Sequence, residues 1–139
     1  MDEPTVVSQF DAMARSRPRK GAIYWGQETI RYAELRERID LYASNLRAGS
    51  GICPGNRVGL LLKNCPEFIF ALYAALKLGA MVVPINNFLK APEIQHIVDD
   101  CKLDCLVTSA DFDETLARVS GLRVVRVGDL EKPDRKSVV

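Results

Sequence analysis

One short stretch holds a cluster of side chains with ligand chemistry. His96, Cys101 and Cys105 fall there, but a structural zinc site needs four ligands, commonly in C-x2–4-C and H-x3–5-H pairs. Only Cys101-x3-Cys105 approaches that spacing, and the pair straddles an expected helix end and strand start. Cysteine is also among the residue types most often buried. All four cysteines are therefore expected to be reduced, metal-free thiols, and no metal ligand is assigned. His96, the one histidine, stands in no recognisable pattern with a nucleophile, so a helix-surface imidazole is expected rather than a general base.

The glycines of "GSGICPG" raise the question of a phosphate loop. Such a loop needs the order strand, glycine turn, helix, so that backbone N–H groups and a helix N-terminus meet the phosphate. Gly49, Gly51 and Gly55 lie instead between an expected helix end and a strand start, and a plain connection is the reading. The basic run Arg15, Arg17, Arg19 and Lys20 reads as a solvated loop just past a helix C-terminus, where positive charge is favourable. Asp111 and Glu114 are expected to cap the last helix rather than to form a catalytic pair. No residue is assigned a catalytic role.

Composition narrows the class. The 139 residues suffice for one domain, and a net charge of +1 leaves no broad footprint for nucleic acid or an anionic membrane. The start "MDEPTVVSQF" is acidic and has no apolar run of the secretory kind. With cysteines read as thiols, the expected location is the cytoplasm. "FIFALYAALKLGAMVV" is almost wholly apolar, yet Lys77 lies within it and Gly79 and Pro84 divide it. A buried helix followed by a strand is expected there, not a membrane span.

The elements that must position any site follow from periodicity. Val6, Val7, Phe10, Met13 and Ala14 recur at helical spacing, and "AIYW" and "ETIRY" flank Gly26-Gln27 as a type II′ hairpin would. Leu35, Ile39, Tyr42, Ala43 and Leu46 share one face of a second helix, with Gly49 as its stop. "RVGLLL" reads as a strand covered on both faces, followed by a helix from about Cys65 to Leu78 with Asn64 as N-cap, and Gly79 as its left-handed end. "AMVVPI" follows as a strand with Val82 and Val83 in the sheet core, then a helix near Pro92 to Asp100. "DCLVTS", "FDETLARVS" and "LRVVRV" complete the series as strand, helix and strand, and a frayed, charged tail is expected from Gly128 onward. The fold class is α/β: a mostly parallel sheet with crossover helices, preceded by helix, hairpin and helix.

Three stretches carry a resemblance. "TIRYAELRERIDLYASNLRA" is similar to the first core motif of the AMP-forming adenylating enzymes, approximately Leu-Thr-Tyr-x-Glu-Leu, with Ile30 and Arg31 in place of Leu and Thr. "ALKLGAMVVPIN" resembles the second, in which Leu76, Lys77, Gly79, Ala80, Pro84, Ile85 and Asn86 fit. "PGNRVGLLLKNCPEFIFALYA" resembles the family's link between them, with Asn56 where Asp is usual. The likeness spans about Val6 to Thr108, and the order of the blocks is more specific than either motif alone.

The resemblance implies the N-terminal portion of an adenylation domain over 1–128 and a flexible tail over 129–139. The close of the second motif in Asn, followed by Leu89, is more typical of acyl- and aryl-CoA ligases than of amino-acid-activating domains. Such enzymes join a carboxylate to the α-phosphate of Mg·ATP, releasing pyrophosphate, and the CoA thiol then displaces AMP. The family's phosphate loop, ribose-binding Asp, hinge and C-terminal catalytic Lys match no stretch of these 139 residues. The chain is thus expected to be scaffold, with ATP, Mg and CoA bound by a longer enzyme. Its partners would be the rest of the ligase chain and, through it, a carboxylic acid, and the separated piece is expected to self-associate. Asn86 and Lys90 are the nearest candidates for lining an acyl or CoA channel. The alternatives are a short non-catalytic paralogue acting as a binding or interaction module, and an unrelated flavodoxin-like domain.

Overall fold

The computed structural model describes residues 3–133. Helix α1 (Val6–Ser16) starts at Thr5, whose side chain accepts from the Ser8 amide while Ser8 Oγ accepts from the Thr5 amide. Its Phe10 meets Tyr32 and Tyr73 at ring-centroid distances of 5.9 and 5.3 Å, which docks α1 on the two helices that carry those tyrosines. Strands β1 (Gly21–Trp25) and β2 (Glu28–Arg31) form an antiparallel hairpin as a separate two-stranded sheet. Gly26 has φ +60° while Gln27 does not enter positive φ, the pattern of a type II′ turn.

Helix α2 (Tyr32–Ser50) buries all five of the residues that share its apolar face. It runs past Gly49, and the stop is Gly51, left-handed at φ +65° with its amide on the Arg47 and Leu46 carbonyls. The expected stop was two residues early, because Gly49 is tolerated inside a helix and the next glycine meets the left-handed requirement.

The main sheet holds β3 (Arg57–Leu61), β4 (Met81–Pro84), β5 (Cys105–Thr108) and β6 (Val124–Arg126), all parallel in the order β4-β3-β5-β6. Side chains alternate between two apolar layers. Val58, Leu60, Cys105 and Val107 pack with α2 and α3 (Pro66–Lys77) on one face. Leu61 and Leu106 pack on the other with Ile94 and Val98 of α4 (Ala91–Cys101) and with Phe112 and Leu116. The architecture is α/β with a parallel sheet between helical layers. Among the described residues no helix is long and apolar enough to cross a membrane.

Strand order corrects one expectation. The chain leaves β4 and crosses to the far side of β3 before laying down β5, so β4 is an edge. Val82 and Val83 are consequently half-buried rather than core, and Met81 is 56% exposed. At the head of α3 the N-cap is Cys65, not Asn64, because Pro66 fits the first helical position with its fixed φ. The helix expected over "FDETLARVS" shrinks to a 3-10 turn (Ala110–Phe112) and α5 (Asp113–Leu116). Beyond Leu116 the amides of Arg118 and Val119 reach back three residues, to Thr115 and Leu116, so the chain tightens into turns.

The segment after β6 is not frayed where it is described. One-turn helix α6 (Val127–Leu130) buries Leu130, and the Asn45 side chain donates to the Leu130 and Lys132 carbonyls at 2.7 and 2.8 Å. Charge on the surrounding residues hid a single apolar anchor. Residues 134–139 of the expected tail lie outside the described residues.

Candidate functional site

Four parallel strands end on one side, and in open α/β sheets ligands bind in the crevice outside those carboxyl ends, where the strand order reverses. That reversal falls between β3 and β5. Lys63 follows β3 there, Ser109 and Asp111 follow β5, and Arg126 ends β6. Asp111 accepts from Ser109 Oγ at 2.9 Å and faces Lys63 Nζ at 3.5 Å. Arg126 pairs with Asp113 at 2.5 Å. Beneath them the buried Thr108 hydroxyl donates to the Leu61 carbonyl at 2.8 Å, tying β5 to β3 at the crevice floor.

The Ser109 hydroxyl, and after it the Lys63 charge, hold the Asp111 carboxyl below the usual carboxylate range. Ser109→Ala should therefore raise the Asp111 pKa, and by more than Lys63→Met does. A carboxyl-carbon NMR titration checks the order; a larger rise from the Lys63 variant would make charge, not hydrogen bonding, the main cause. The N-caps of the 3-10 turn and of α5 are Ser109 and Phe112, so Asp111 is not the helix cap expected of it. Glu114 does lie in the first turn of α5.

The expected channel residues follow β4. Asn86 spends its side-chain oxygen on the Phe88 amide, 2.9 Å away, which makes the loop an Asx turn and leaves Phe88 91% exposed. Lys90 is the N-cap of α4, with its backbone amide on Glu93 Oε1 at 3.1 Å. A groove of about 680 Å³ opens between the head of α4 and α5, lined by Leu89, Lys90, Pro92 and Gln95 on one side and Glu114 and Arg118 on the other. Lys90 lines it and Asn86 does not. The spacing of Asn86 and Lys90 indicated a loop past a strand end; the groove needs α5, which the sequence places more than twenty residues further on. Position alone, one or two residues past a strand's carboxyl end, could have found Lys63 and Ser109.

The other chemistry-bearing residues are dispersed. His96 is exposed on α4, Cys101 half-buried at its end and Cys105 buried in β5. Burial pushes the Cys105 thiol up to about 11, and raises Cys65 as well. Among the described residues no three His, Cys, Asp or Glu side chains meet as a metal site would require. Arg15, Arg17, Arg19 and Lys20 are exposed at the end of α1 and in the turn beyond, where the Arg19 carbonyl accepts from Arg31.

The glycine loop lies at the opposite side of the sheet. Gly55 donates to the Gly79 carbonyl at 3.0 Å and Met81 to the Asn56 carbonyl at 2.7 Å, so the loops leading into β3 and β4 are stitched together at the amino edge. Lys77, in the last turn of α3, pairs with Asp40 of α2. The strand-to-helix connections read Leu62–Cys65, Ile85–Lys90 and Ser109, without a glycine, and Gly128 falls inside α6. A glycine-rich phosphate cradle lies between a strand and the helix that follows it, and these described connections are not of that kind.

Known proteins resemble this chain in sequence and in fold. The chain is 36% identical over 123 residues to a feruloyl-CoA synthase from an Amycolatopsis species, which covers 87% of this chain and 25% of that protein. It is 47% identical over 81 residues to the crotonobetaine/carnitine–CoA ligase of Salmonella typhimurium, 58% of this chain and 16% of the relative. The fold superposes on the O-succinylbenzoate CoA synthetase of Bacillus subtilis, solved with AMP, with a TM-score of 0.83 at 24% identity, covering 94% of this chain and 33% of that one. The chain thus spans about a quarter of the length of the feruloyl-CoA synthase it matches. The profile of the AMP-binding enzymes matches residues 10–138, and with that match the chain belongs to the AMP-binding enzyme family.

Proposed function

We propose that this chain is the N-terminal part of an AMP-forming carboxylate–CoA ligase acting on an aromatic or fatty acid, and that by itself it is scaffold rather than catalyst. The observation that carries the reading is the identity to feruloyl-CoA synthase over 87% of the chain, which includes both core motifs in order. ATP, Mg and CoA belong to the longer enzyme, whose remaining part is this chain's partner; no catalytic step is derived for the residues described. Lys90 and the groove beside it, with Asn86 holding the loop, are the part of this chain assigned to the channel wall.

The reading frame beyond Val139 tests the assignment. A Gly/Ser/Thr-rich loop ending in Lys within a few dozen residues is expected. A stop codon in the native gene at that point would instead favour a short paralogue acting as an interaction module. For a longer protein, acyl-CoA formation from Mg·ATP, CoA and a panel of hydroxycinnamic, benzoic and fatty acids is the activity to measure, and silence across that panel counts against the ligase.

A further inference from the structure

We infer that residues 127–133 form a strap that closes over α2 and opens as a unit while the sheet stays folded, with Tyr42 and Asn45 as the positioning residues that hold it shut. The strap has one fully buried anchor, Leu130, 2% exposed and packed in the core layer that also contains Tyr42, Leu46 and Val125, and half-buried Val127 packs against the same layer. Gly128, Asp129, Glu131, Lys132 and Pro133 are exposed. The side-chain hydrogen bonds that fasten it to the rest of the fold come from one helix. The last carbonyls of a helix lack partners within it. In α6 the Leu130 carbonyl, and in the next turn the Lys132 carbonyl, accept instead from the Asn45 carboxamide. The fully buried Tyr42 donates its hydroxyl to Glu131 Oε1 at 2.7 Å. That phenol is kept protonated, first by burial and then by the Glu131 carboxylate, so it remains a donor across the working pH range.

None of these hydrogen bonds belongs to the sheet. β6 is held separately, by its own ladder to β5 and by the Arg123 guanidinium on the Ser50 carbonyl at 2.9 Å. Releasing the strap breaks the Tyr42 and Asn45 bonds and exposes Leu130, but leaves the four-stranded ladder intact. A segment with one fully buried anchor, one half-buried residue and five exposed ones falls at the low end of local stability. In a longer protein the strap leads out of this unit into the rest of the enzyme, so its closed form sets the direction in which the chain departs; this consequence rests on the reading proposed above, whereas the strap itself does not.

Hydrogen exchange by mass spectrometry on the 139-residue chain tests it, comparing a peptide over residues 127–133 with peptides from β3 and β5. Asn45→Ala should speed strap exchange roughly tenfold, the equivalent of one or two net hydrogen bonds, with core exchange unchanged. Tyr42→Phe keeps the buried ring and removes only the hydroxyl, and should act in the same direction. Glu131→Gln retains an acceptor for Tyr42 and should leave the strap closed. Equal acceleration of strap and core in Asn45→Ala would overturn the inference, since the strap would then open only with the whole. So would strap exchange at the rate of unstructured chain in the parent. The readout involves no ligase activity, so its failure and that of the functional reading are separate results.

Discussion

The 139-residue chain, incubated with Mg·ATP, labelled pyrophosphate and a panel of aromatic and fatty acids, should give no carboxylate-dependent exchange into ATP. Adenylation needs three things held together: donors on the triphosphate, a metal between its phosphates, and a carboxylate in line with the α-phosphorus. The expectation rests on the first. A phosphate cradle is made of backbone N–H groups freed by glycine between a strand and the N-terminus of the next helix. Here β3 runs into α3 through Leu62, Lys63, Asn64 and Cys65, and Pro66 removes one of the few amides that α3 would offer. The β4-to-α4 loop turns its Asn86 side chain inward on Phe88, and Glu93 occupies the Lys90 amide. After β5 the chain turns at once, with Lys63 and Asp111 already facing each other across the crevice. Exchange by this chain above a carboxylate-free blank would sink the scaffold reading. A longer protein with this N-terminus should show exchange under the same conditions.

Much of the fold was legible because burial in its middle is periodic. The five apolar residues of α2 share one helical face and are all buried; "RVGLLL" is a continuous run, and β3 is covered on both sides. What escaped the sequence depends on elements far apart in the chain. That β4 is an edge follows only from the crossover to β5. Leu130 stands alone among charges, and its anchors, Tyr42 and Asn45, precede it by more than eighty residues. The candidate site divides likewise. Asn86 and Lys90 could be placed past a strand end from the motif, but the groove beside Lys90 requires α5, and the Lys63–Asp111–Ser109 cluster requires β3 and β5 to be neighbours.

The second core motif is a joint before it is a site. Its Lys77 pairs with Asp40 on α2, and its Gly79 fixes how α3 turns into the edge strand. Gly79→Val should accordingly be among the most damaging single changes at the surface of this protein. Two independent costs meet there. Gly79 has φ +79°, a region where an L residue loses about 1–2 kcal/mol and a β-branched one fits worst. A Cβ at that position would also stand 3.1 Å from Pro54 Cβ and 3.2 Å from Pro54 Cα, the second of these in backbone that cannot rotate away. Pro54 in turn is held by the Gly55 amide on the Gly79 carbonyl, so the two loops cannot part without breaking the stitch between β3 and β4. Overpacking of this kind adds about 1–3 kcal/mol, so a total near ~3 kcal/mol is expected, or a Tm lowered by roughly 10 °C in a chain of this length. Gly79→Ala should lose less, since it carries the φ cost with a single methyl. Adding Pro54→Gly to Gly79→Val should return part of the steric loss and none of the backbone loss. A thermal melt of Gly79→Val equal to the parent would mean that the loop re-forms without positive φ, and that the motif keeps this glycine for another reason.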